Sequence, residues 1–166
     1  NSKKNKLAKE QFLAVRKTLQ LENPSYKIRY DDLGRPSINS DLNISISHSN
    51  LMAAIAFSGC YKTGIDIELK ESKILNIQDK FLNKAEKRKN EYQSNIDYLT
   101  MIWTAKESIY KALGIKGISF SDDIIVKNIV KSKGEGYYIN DIKKNKFDLT
   151  FFSLDNYVLC YAQSNN

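Results

Sequence analysis

Lys62–Lys70, KTGIDIELK, alternates apolar and polar residues around two acids, and its reading decides how the rest of the chain is arranged. A strand puts residues two apart on one face, so Thr63, Ile65, Ile67 and Leu69 point one way and Gly64, Asp66 and Glu68 the other. The isoleucines belong in a core. The acid-bearing face is then either the exposed face of an edge strand, the default for so short a pattern, or the wall of a cleft. Two hard oxygen ligands a short distance apart suit Mg²⁺, which takes a few carboxylates and fills its other positions with water and substrate phosphates.

Downstream, Ile102–Gly114, IWTAKESIYKALG, supplies a third acid. The helical pattern runs from Tyr98 to Leu113 and closes at Gly114, with Gly117 close behind. Glu107 and Lys111 are four apart, a surface ion pair by default and worth only about 0.2–0.5 kcal/mol there. Trp103, Ile109, Tyr110 and Leu113 argue instead for a largely buried helix, where a carboxylate flanked by lysines is a site candidate. If Glu107 faces Asp66 and Glu68, three carboxylates repel one another unless a cation sits among them. Upstream, Ile44–Asn50, ISISHSN, holds the single histidine of the chain. A lone histidine is structural by default, but Ser47, His48 and Ser49 at a strand end could bind phosphate oxygens. A Ser-His-Asp hydrolase triad has little support, since no GxSxG elbow is present. Arg35, in LGRPS, stands in a rigid turn.

Around these motifs the periods change in blocks. Ala8, Phe12, Val15 and Leu19 form one apolar stripe on a helix over Leu7–Leu21, with Lys6, Glu10 and Lys17 opposite and Pro24 beyond its end. Short strands are expected at Tyr26–Tyr30, Ile44–Ser47, Leu51–Phe57 and Thr63–Leu69. Ile77, Phe81, Leu82 and Ala85 read as one further helix. Strands return at Ile124–Val130, Tyr137–Ile139, Phe147–Phe152 and Tyr157–Ala162, the last two joined as a hairpin through SLDN. The order is α+β, with mostly antiparallel sheets and packed helices. NLMAAIAF and NYVLCYAQ hint at two similar α/β halves, 1–70 and 71–166, within one compact body.

Twenty-six Lys and Arg against nineteen Asp and Glu leave a charge of +7, which favours an anionic partner. The runs KAEKRKNE and DIKKNK read as solvated surface. Neither a disulfide framework nor a zinc site is indicated, and Cys60 and Cys160 read as buried packing residues of a reduced protein. No run nears the roughly 18 apolar residues of a membrane helix, so the chain reads as soluble and cytoplasmic. An opening Asn rather than Met reads as the start of a segment within a longer product.

Taken together and in order, GRP, SISHS, GIDIE and WTAKESIYKALG resemble the 4′-phosphopantetheinyl transferases, in particular the larger surfactin-synthetase-activating type. The likeness runs from about Leu7 to Val130 and includes FLNKAE. It implies a pseudo-dimeric, monomeric enzyme, a holo-[acyl-carrier-protein] synthase, that moves the phosphopantetheine arm of coenzyme A to a serine of an acyl or peptidyl carrier protein. Mg²⁺ would be the metal, with Mn²⁺ an alternative, and adenosine 3′,5′-bisphosphate the other product. By the same resemblance Asp66, Glu68 and Glu107 look like metal ligands, His48 contacts a coenzyme A phosphate, and Arg35 lies by the adenine and 3′-phosphate. Lys111 would hold the diphosphate, with Lys106, Ser47 and Arg16 as further contacts. Glu107 is the candidate base, ahead of His48. The carrier would dock near the segment after Leu69 and around Phe81. Larger-type members carry more chain, including a strand, before the first helix. Two other readings compete: a family member that binds coenzyme A without transferring it, and a basic nucleic-acid-binding module. The second is disfavoured because the aromatic residues lie in apolar segments rather than among lysines.

Overall fold

The computed structural model describes residues 2–88, 94–142 and 144–164. An N-terminal helix, α1 (Ser2–Glu22), leads into the short ladder β1 (Ile28–Tyr30) with β2 (Pro36–Ile38), and then the hairpin β3 (Asn43–Ser49) with β4 (Met52–Ser58). β5 (Thr63–Leu69) follows. A 3₁₀ turn (Ser72–Asn76), α2 (Gln78–Phe81) and α3 (Lys84–Lys87) connect it to the long helix α4 (Ile96–Leu113). Four more strands close the chain: β6 (Ile124–Val130), β7 (Lys133–Ile139), β8 (Lys144–Leu154) and β9 (Tyr157–Ser164). They join β5 in a five-stranded antiparallel sheet of order β5-β9-β8-β7-β6. The architecture is thus α+β, with antiparallel sheets and packed helices.

β5 spans the same residues as the quoted stretch predicts, and its two faces do different work. Ile65 and Ile67 pack against Ala54 and Ala56 of β4. The opposite face meets α4, and there Gly64 is required: a Cβ at that position would overlap the Ser108 carbonyl oxygen and lie 2.8 Å from the Ala112 nitrogen. Lacking a side chain, residue 64 lets the helix backbone rest on the strand. The other side of α4 supplies Leu99, Ile102, Ala105 and Ile109 to the main core, against Phe147, Leu149, Val158 and Cys160 of the sheet. Burying each of the Leu, Ile, Val and Phe side chains among them is worth roughly 1.5–3 kcal/mol. Asn95 caps the start of α4 by accepting from the Tyr98 amide, and Gly114 ends it in the left-handed conformation at φ 62°.

β5, which precedes residue 70, is bonded along its length to β9. Several expectations are corrected. The single helix expected around Ile77–Ala85 is broken, because Leu82 is extended and Asn83 starts a new turn by accepting from the Ala85 and Glu86 amides while Glu86 accepts from its own. Of the α1 stripe, Val15 and Leu19 are buried but Phe12 is 51% exposed. Cys160 is buried as expected, whereas Cys60 is exposed. Glu86 breaks the solvated-surface reading of KAEKRKNE, since it is buried; Lys89–Glu91 of that run lie outside the described residues.

Candidate active site

α4 lies directly on β5, so the acids of the strand and the helix share one region. Asp66 is almost wholly buried, and its Oδ1 accepts from the Ser47 hydroxyl and from the Lys111 ammonium, each at 2.7 Å. Lys111 also reaches the Ile65 carbonyl at 3.2 Å. The second carboxylate oxygen, Oδ2, is buried without a partner among the described residues. Glu68 is held at both ends: Oε2 accepts from Ser49 at 2.9 Å and Oε1 from the Trp103 indole at 3.3 Å. Trp103 is in turn wedged against the Phe81 and Phe120 rings.

Asp66, Glu68, Glu107, Lys111, Ser47 and His48 line one cavity of about 580 Å³, closed on its far side by Phe12 and Arg16 of α1. Arg16 stacks its guanidinium on the Phe12 ring at 3.3 Å. A second cavity of about 560 Å³ continues from it past Gly34, Pro36, Ile46 and Lys111, and reaches Arg35 and the end of α4. Arg35 bridges Asp31 and the Gly114 carbonyl, at 2.7 and 3.0 Å, and so places a cation at the C-terminus of α4.

The electrostatics follow from this crowding. Burial pushes the Glu107 carboxyl up to about 7, reinforced by Asp66 and Glu68 and opposed by Lys111. Burial likewise raises Asp66, offset in part by Lys111 and the Ser47 hydroxyl. A carboxyl poised near neutrality can exchange a proton at physiological pH. Two acidic groups held against their preference, beside an unpartnered buried oxygen, form a donor set that fits a hard divalent cation. Among the described residues no three His, Cys, Asp or Glu side chains gather closely enough to hold a metal on their own. The three acids therefore share a cavity without forming a finished cage.

Eight of the nine residues singled out from the sequence border this pair of cavities; Lys106 does not. Its side chain is fully buried on the other side of α4, where Nζ donates to Glu86 at 2.8 Å and to the carbonyls of Phe81, Phe120 and Ile124 at 2.6–2.9 Å. No donor is left for a ligand. It ties α4 to α2, to α3 and to the start of β6. Trp103, read from the sequence only as a burying residue, and Ser49, read only as a possible phosphate contact, grip Glu68; the spacing of Ser49 to Glu68 repeats that of Ser47 to Asp66.

An acid pair on an edge strand, lining one cavity with a helix Glu and Lys, sits within the part of the chain that matches a known family. The model of the 4′-phosphopantetheinyl transferase superfamily covers residues 62–162, and the chain belongs to that family. Among individual proteins, it is 29% identical over 99 residues to the 4′-phosphopantetheinyl transferase gsp of Aneurinibacillus migulanus, covering 58% of this chain. The match takes in 41% of that relative, so the chain spans about two fifths of the curated protein it resembles.

Proposed function

We propose that this chain carries the site of a phosphopantetheinyl transferase, which moves the phosphopantetheine arm of coenzyme A to a serine hydroxyl of an acyl or peptidyl carrier protein. The observation that carries this reading is the convergence of Asp66, Glu68, Glu107 and Lys111 on one cleft, with Asp66 Oδ2 unpartnered. Asp66, Glu68 and Glu107 would hold Mg²⁺. The ion would neutralise charge on the diphosphate and polarise it toward attack.

The chain's own groups account for the remaining chemistry. The serine oxygen attacks the β-phosphorus, a P–O bond forms to the carrier, and the bond to the bridging oxygen breaks to release adenosine 3′,5′-bisphosphate. Glu107, in the cleft beside Asp66 and Lys111, is the group that takes up the hydroxyl proton. Lys111 stands where the two cavities meet and balances charge on the diphosphate. His48 and Arg35 lie on opposite stretches of the cleft, where they would bind phosphate and nucleotide. The net charge of +7 favours an acidic carrier. The test is product analysis: with apo-carrier, coenzyme A and Mg²⁺, adenosine 3′,5′-bisphosphate should appear in step with consumed coenzyme A. Its absence with every carrier of a varied panel overturns the reading.

A further inference from the structure

β5 is the edge of its sheet, and its edge is covered in an unusual way. The ends of the β5–β9 ladder, where Ser164 donates to the Lys62 carbonyl and Lys70 to the Asn156 carbonyl, show that even-numbered residues bond toward β9. The odd-numbered amides face outward. There the Ile65 amide donates to Ser45 Oγ, Ile67 to Ser47 Oγ and Leu69 to Ser49 Oγ, at 3.0, 3.3 and 3.2 Å. The separation is 20 residues in every case, so β3 runs parallel to β5 and offers a serine hydroxyl wherever a parallel strand would offer a carbonyl. β3 uses its own backbone on β4. Two separate sheets are thereby joined by side chains, with the strands held one serine apart.

A hydroxyl that accepts from an amide still has a proton to give. Ser47 gives its proton to Asp66 and Ser49 to Glu68, each 19 residues on. At the same offset from Ser45 stands Gly64, which has no side chain to receive it. Ser45 is thus a built-in control: among the described residues its hydroxyl makes the amide contact alone.

We propose that Ser47 and Ser49 are positioning residues for the metal-binding acids, each fixing one carboxylate oxygen of Asp66 or Glu68 while registering the β3–β4 hairpin against β5. The proposal rests on the metal reading given above. It also assigns the serines of SISHS to the protein's own acids rather than to ligand phosphate. Partners that orient metal-binding carboxylates are commonly worth about 10–100-fold in metal affinity.

The test compares Ser45→Ala, Ser47→Ala and Ser49→Ala, with Ser49→Thr as the variant that keeps the hydroxyl. Two readouts are taken on the protein alone: Mn²⁺ affinity by electron paramagnetic resonance, and hydrogen exchange at Ile65, Ile67 and Leu69. Each alanine should speed exchange at its own amide. Only Ser47→Ala and Ser49→Ala should weaken Mn²⁺ binding, by about tenfold, with Ser45→Ala within twofold and Ser49→Thr near wild type. Equal losses in all three, or none, overturn the positioning role. Exchange unaltered by any substitution overturns the ladder. A wild-type protein that takes up no Mn²⁺ overturns both the metal reading and the carboxylate half of this proposal, while the exchange data still decide the ladder.

Discussion

A methyl group at Gly64 should dislodge the site through the backbone that carries it. In Gly64→Ala the new Cβ would overlap the Ser108 carbonyl oxygen and stand 2.8 and 2.9 Å from the Ala112 nitrogen and the Ser108 carbonyl carbon, against a floor of 3.0 Å for real contacts. All three atoms are backbone in mid-helix, so no rotamer change relieves them. α4 must withdraw from β5 by on the order of 1 Å, taking Glu107 and Lys111 away from Asp66. Overpacking usually costs about 1–3 kcal/mol, and a clash with rigid backbone belongs at or above the top of that range. At about 2–4 °C per kcal/mol for a chain of this size, the midpoint should fall by roughly 10 °C. Gly136→Ala is the comparison, since its Cβ would meet the end of the Ile109 side chain, which can rotate, at about 1 kcal/mol. Thermal and urea unfolding followed by circular dichroism measure both variants, and calorimetry with coenzyme A measures the site. Equal losses in the two variants, or a Gly64→Ala protein as stable as wild type, would refute the close approach of helix to strand.

The packing and charges fix four further outcomes. With metal chelated, stability should fall as pH rises from about 4.5 to about 7, because folded Glu107 keeps a proton that the unfolded chain has lost; the loss is at most about 3 kcal/mol. Glu107→Gln should flatten that part of the urea-midpoint profile and be more stable than wild type at pH 8. Lys106→Met strands the buried Glu86 carboxylate and three carbonyls, and should cost about 3–5 kcal/mol in urea unfolding. Leu19→Ala, in the core, should cost about 2–5 kcal/mol. Half-exposed Phe12→Ala should cost about 1 kcal/mol or less and instead weaken coenzyme A binding, since Phe12 lines the acid-bearing cavity.

β5 and α4 were legible because their signals are local. Alternation around Asp66 and Glu68 defines the strand, and the apolar period with Gly114 defines the helix. Lys106 enters the candidate set through the resemblance, yet adjacent helical residues point about 100° apart, so it does not share the face of Glu107. It sits on the stripe of Leu99, Ile102 and Ile109, and that stripe marked it as buried. The break after Phe81 was present as Asn83-x-x-Glu86, a capping-box spacing overshadowed by the surrounding apolar residues. Phe12 defeats the burial expectation because a stripe shows which face is apolar, and here one end of that face lines a cleft. The serine ladder depends on contacts between segments 20 residues apart, which neither strand's own period reveals. Only the matched spacing of Ser45, Ser47 and Ser49 with Gly64, Asp66 and Glu68 foreshadows it.

The central claim is tested most directly by the intact mass of an apo-carrier protein after incubation with this chain, coenzyme A and Mg²⁺. A gain of one phosphopantetheine group, lost with chelator and in Asp66→Ala and Glu107→Ala, is the predicted result. An unchanged mass across acyl and peptidyl carriers, or a gain that persists in both variants, contradicts the account.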